Sequence, residues 1–78
     1  MAVTETIELI WDFRGPEAQS FAQHHAKHLQ EFMIAEKRAI PCGFRVIDEN
    51  YALAYIQVPA SDMLFYRDRL KPQRGNYV

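Results

Sequence analysis

Between Thr6 and Phe13 the chain alternates, with Ile7, Leu9, Trp11 and Phe13 on one side and Glu8, Ile10 and Asp12 on the other. A period of two belongs to a strand with one face against a core, so a strand is predicted over residues 4–13. Arg14-Gly15-Pro16-Glu17 breaks it, and Pro suits a first helical turn. From there to Arg38, Ala18, Phe21, Ala22, Leu29, Phe32 and Met33 recur at steps of three and four, which predicts an amphipathic helix over 16–38.

After Ile40-Pro41-Cys42-Gly43, two apolar runs separated by the polar turn Asp48-Glu49-Asn50 predict a hairpin over 43–58. In its second strand Tyr51, Leu53 and Tyr55 point one way and Ala52, Ala54, Ile56 and Val58 the other. The expectation is that Tyr51, Leu53 and Tyr55 join the helix-covered core, leaving the Ala52, Ala54, Ile56, Val58 side, with Ile10, as an apolar open face. Ser61 or Asp62 can cap a short helix over 62–70, and residues 71–78 read as an irregular tail, with Tyr77 and Val78 free to add to an edge.

The order β-α-β-β-α, with the third strand between the first and second, predicts one small α+β, ferredoxin-like domain spanning 1–78. The expected sheet is three-stranded and antiparallel, with one long helix packed on one face. A bare apolar second face calls for a partner. A homodimer through the sheet face is expected, because two-fold pairing is the commonest closed symmetry.

Composition adds constraints. At 78 residues the chain has room for one core, and folding hides only about 60% of the surface of so short a chain. Cys42 is the single cysteine, which excludes an internal disulfide and fits a reducing compartment. With no signal-like segment near Met1 and no long apolar run, a cytoplasmic location without membrane insertion is the expectation. The net charge of −1 hides an asymmetry: residues 1–65 carry five Lys/Arg against nine Asp/Glu, whereas the tail carries Arg67, Arg69, Lys71 and Arg74 against Asp68 alone. Four basic groups without an aromatic platform or a helix-turn-helix pattern point to a solvated tail, so nucleic acid is not an expected partner.

The candidate chemistry centres on HHAKH, residues 24–28. At about 100° per residue, His25 falls inside the apolar stripe, His28 at its border and His24 on its flank. For His25 the simplest reading is a buried imidazole bonded to a backbone carbonyl or a tyrosine. Its alternative, shared with His28, is a proton carrier in a pocket, with Tyr51 or Tyr55 orienting a substrate. His28, His25 and Tyr55 are thus the candidate catalytic residues of an acid-base enzyme, and Trp11, His25, His28, Tyr51 and Tyr55 the candidate ligand-binding set. His24 and His28, four apart, can reach one metal ion, which makes a zinc-binding protein a further alternative, although a third ligand and the glutamate of HExxH are missing. Asp12 and Arg14 read as a surface pair. No Gly-rich phosphate loop, GxSxG or CxxC occurs, and no cofactor is expected.

The long helix carrying His28-Leu29 after a first strand, followed by a hairpin, a short helix and Lys71-Pro72, resembles the dimeric α+β barrel superfamily. That resemblance implies small ferredoxin-like subunits that pair through their sheets and enclose clefts, catalytic in some members and only binding in others. In the branch with a His before Leu on the first helix, a catalytic aspartate precedes the late proline; this chain has Lys71 there. The sequence therefore reads first as a non-catalytic oligomeric module that binds a small molecule or protein through the sheet face or the helix-sheet cleft.

Overall fold

A computed structural model describes residues 5–77; Thr4, assigned above to the first strand, and Val78, assigned to the tail, lie outside them. The elements are β1 (Thr6–Arg14), α1 (Ala18–Ala35), β2 (Cys42–Asp48), β3 (Tyr51–Pro59), a 3-10 turn (Ala60–Asp62), α2 (Met63–Leu70) and β4 (Arg74–Tyr77). All strand pairs are antiparallel, in the order β2-β3-β1-β4. β3 thus lies between β1 and β2, as the sequence suggests. Neither helix takes a side-chain cap, so the expected Ser61 or Asp62 bond is not made.

The sheet has four strands where three were expected. The tail is not irregular: after α2 ends at Lys71 in the left-handed conformation (φ 53°), Gln73 N donates to Ile10 O at 2.9 Å, and β4 then pairs along the free edge of β1. The indole Nε1 of Trp11 donates to Leu70 O at 3.1 Å, fixing the end of α2 over β1. At Gly75 the fit against β1 is close: a Cβ there would sit 3.1 Å from Leu9 Cδ2, and the leucine would have to give by a few tenths of an ångström.

The assignment of faces also needs correction. Trp11 stands opposite Ala54, Leu9 opposite Ile56 and Ile7 opposite Val58; residues directly opposite in an antiparallel pair share a face. The Ala52, Ala54, Ile56, Val58 row is therefore under the helices, in the core with Leu29, Met33 and Tyr66. The reason is steric. The buried residues of α1 begin with Ala18, Ala22 and Ala26, and small residues on both sides of the contact let helix and sheet approach closely, with Trp11 filling the space beside Ala54. Tyr51, Leu53 and Tyr55 go to the opposite face, where phenol hydroxyls can meet water. Among the described residues, no helix is long and apolar enough to cross a membrane.

Candidate functional site: the open sheet face

With both helices packed on the Ile7, Leu9, Trp11 side, the other side of the sheet presents Glu8, Ile10, Asp12 and Arg14 from β1 and Tyr51, Leu53, Tyr55 and Gln57 from β3, which stand opposite one another. β2 adds Arg45 opposite Leu53, and β4 adds Arg74 opposite Ile10. Ile10 and Leu53 are only 2% and 5% exposed, although this face carries no helix. Their cover comes from the long polar and aromatic side chains around them, whose stems shield apolar surface while their heads stay in water.

Those side chains form two networks. In the first, Arg45 donates both Nη atoms to the two carboxylate oxygens of Glu8 at 2.7 Å each, and Gln57 Nε2 adds a bond at 3.1 Å. The fork-to-fork geometry is the strong form of this interaction, and Arg45 holds the Glu8 carboxyl below its ordinary range, outweighing the opposing effect of burial. The same guanidinium lies 4.2 Å from the Tyr55 ring centroid. In the second network Asp12 accepts Arg74 Nε at 2.9 Å and Nη2 at 3.1 Å, and the Tyr51 hydroxyl donates to Asp12 at 2.6 Å. Arg74 lowers the Asp12 pKa and is itself raised by it. Arg14 stacks 4.1 Å from the Tyr51 centroid; Asp12 is thus partnered by Arg74 from the tail, where sequence proximity suggested Arg14.

The residues singled out from sequence fall in three places. Trp11 is core. His25 is half-buried, its ring centroid 5.0 Å from Trp11 and 5.6 Å from Phe13, and its buried Nε2 has no hydrogen-bond partner. The expected bond to a carbonyl or tyrosine is not formed. Burial, then the nearby His28 and His24, push its pKa below the ordinary value. Tyr51 and Tyr55 are on the open face, across the sheet from His25. His28 is exposed on α1 beside His24 and Glu31. No single cleft gathers His25, His28 and Tyr55.

Cys42 donates its thiol to Ile40 O at 3.3 Å, and burial raises its pKa, both of which suppress the thiolate needed for reactivity. Among the described residues no group of three or more His, Cys, Asp or Glu converges on a metal position. Arg45 and Gln57 carry no motif in the sequence, and Glu8 and Arg74 stand there only as a strand position and part of a solvated tail. The available signal was the pair of acids at alternate-side positions of an otherwise apolar strand, because a carboxylate on a sheet face needs a cation from somewhere. What the face offers chemically is recognition: two aromatic rings, two neutralised carboxylates and one additional guanidinium. Compared with protein-family models, curated proteins and solved structures, the chain finds no match.

Proposed function

We propose that the chain is a non-catalytic binding module that docks through its open sheet face, and that its first partner is a second copy of itself. The observation that carries this reading is the face itself: Tyr51, Tyr55, Arg14, Arg45 and Arg74 standing over Ile10 and Leu53. Tyrosine and arginine are the residues that interface centres favour. Because Glu8 and Asp12 already hold guanidinium partners, covering the face strands neither carboxylate, and stranded charges are what makes such burial costly.

The topology supports the same reading. A β-α-β-β-α-β order with strand order β2-β3-β1-β4 fits a ferredoxin-like sandwich, and the dimeric α+β barrel superfamily that the sequence resembles pairs such subunits by their sheets. A domain this small also gains from an added interface. The inert thiol of Cys42 fits a cytoplasmic location.

Sedimentation equilibrium of the full chain tests the proposal. A dimer at micromolar concentration is expected, reverting to a folded monomer in the Tyr55→Asp variant, which places an unpaired charge on the face. A wild-type monomer throughout that range refutes the self-association, and a dimer unaffected by Tyr55→Asp places the contact elsewhere.

A second reading rests on a groove between α2 and β4, about 330 Å³ in volume, whose lining includes Ile7, Leu9, Met63, Arg67 and Tyr77. It lies beside the short helix, away from the α1 side where His25 and His28 sit, and its size is at the lower end of the usual range of about 300–1,000 Å³ for small-molecule sites. Fragment screening by amide shifts tests it: hits that move Met63, Gly75 and Asn76 support a ligand site, and hits confined to other regions remove it.

A further inference from the structure

On the solvent side of α1, His24 and His28 bring their Nε2 atoms to 2.9 Å from each other. The rings meet nearly perpendicular, at 81° with centroids 4.5 Å apart. One of the two nitrogens carries the shared proton in the metal-free state, and once it is moved away the pair, held at one point by a helix whose opposite side is anchored through Ala22, Ala26 and Leu29, is placed to chelate. We propose that His24 and His28 form a bidentate surface site for a borderline divalent transition-metal ion, with Cu(II) its best occupant and Ni(II) and Zn(II) weaker ones.

The spacing suits a chelate. Two imidazole nitrogens each about 2.05 Å from one ion and about 90° apart around it stand about 2.9 Å from each other, whereas a tetrahedral angle separates them by about 3.3 Å. The observed 2.9 Å is the length of the hydrogen bond the two rings share in the metal-free state, and it lets both nitrogens reach neighbouring positions of a tetragonal centre with little movement; imidazole is a ligand that Cu(II) and Ni(II) both accept. Affinity rises to a maximum at Cu(II) along the first row, which orders the candidates.

Glu31 supplies the outer contact such sites use. Its Oε1 lies 3.2 Å from His28 Nδ1, so the carboxylate favours the His28 tautomer with the proton on Nδ1 and the lone pair on Nε2. That is the form a metal ligand needs. His24 then contributes the shared proton in the metal-free state, and moving that proton to its own Nδ1 frees the second lone pair without changing net charge. A shallow hollow lined by Ser20, Gln23, His24 and Lys27 lies beside His24. The site is on the helix surface, so it stands or falls independently of docking by the sheet face.

The experiment is Cu(II) titration of the ¹⁵N-labelled full chain at neutral pH, followed by amide line broadening, with calorimetric titration of Ni(II) and Zn(II) alongside. One equivalent of Cu(II) is expected to broaden residues 24–31 first. His24→Ala and His28→Ala, both solvent-facing substitutions checked for retained helix by circular dichroism, are each expected to weaken binding about tenfold or more, and Glu31→Gln several-fold. Binding unchanged in either histidine variant overturns the proposal, since a bidentate site needs both. Broadening centred on the terminal amine, His25 or Cys42 overturns it as well.

Discussion

Replacing Arg45 by Met removes the two 2.7 Å bonds to Glu8 while keeping an apolar stem over Tyr55 and Leu53. The Glu8 side chain is 9% exposed and Arg45 45%, so the variant leaves a nearly buried carboxylate with Gln57 as its remaining side-chain partner. Hydrogen bonds to charged groups contribute about 1.5–3 kcal/mol, and the exposure of Arg45 argues for the middle of that range, about 2 kcal/mol, after screening. For a small domain with a urea m value of about 1 kcal/mol/M, the midpoint falls by about 2 M. Total stability of roughly 4–12 kcal/mol at this length leaves the variant folded.

Trp11, the single tryptophan and 5% exposed, is the natural fluorescence probe for the urea titration. The sign of the pH dependence follows from Glu8, whose folded pKa lies below its ordinary 4.5. The pair's stabilisation is full above that value and fades as the pH falls through the lower folded value, so the gap between wild type and Arg45→Met narrows at pH 3. A cycle with Glu8→Gln is expected to return a coupling of about 1–2 kcal/mol. A loss at neutral pH below about 0.5 kcal/mol, the level of an ordinary surface change, refutes the reasoning, as does a gap that persists unchanged at pH 3.

His25 has a lowered pKa, so stability is expected to be full above about pH 6.5 and to decline as the pH falls through the folded value; His25→Leu flattens that slope in thermal melts between pH 7 and pH 5. In Gly75→Val the added side chain collides with Leu9, and β4 is expected to loosen at a cost of about 1–3 kcal/mol, seen as faster amide exchange of Gln73 with the Trp11 environment retained. Ala54→Leu overfills the contact beneath α1 and is expected to cost about 1–3 kcal/mol; a neutral result in urea denaturation contradicts the close helix-sheet approach.

Much of the fold was legible because β1, α1 and the β2-β3 hairpin each carry a periodic pattern. β4 was not, since Arg74-Gly75-Asn76-Tyr77 has no apolar alternation and owes its place to the free edge of β1 and the bonds through Gln73 and Arg74. The two sides of β3 were exchanged for a related reason. Both are apolar, and the choice is made by the alanines of α1, which demand Ala52 and Ala54 beneath them, not by bulk. The helical angle put His25 inside the apolar stripe, where it is half-buried, but His28, read at the border of that stripe, is exposed in contact with His24; the tyrosine-arginine networks draw on four strands and no local window contains them.

Whether the open sheet face associates is tested most directly by dilution of the ¹⁵N-labelled chain from millimolar to low micromolar concentration. Amide shifts at Ile10, Asp12, Arg45, Leu53 and Tyr55 are expected to move together along one binding curve while Ala22, Ala26 and Leu29 in α1 stay still. Shifts that do not change with concentration, or that change along α1 and leave the sheet face unmoved, contradict that association.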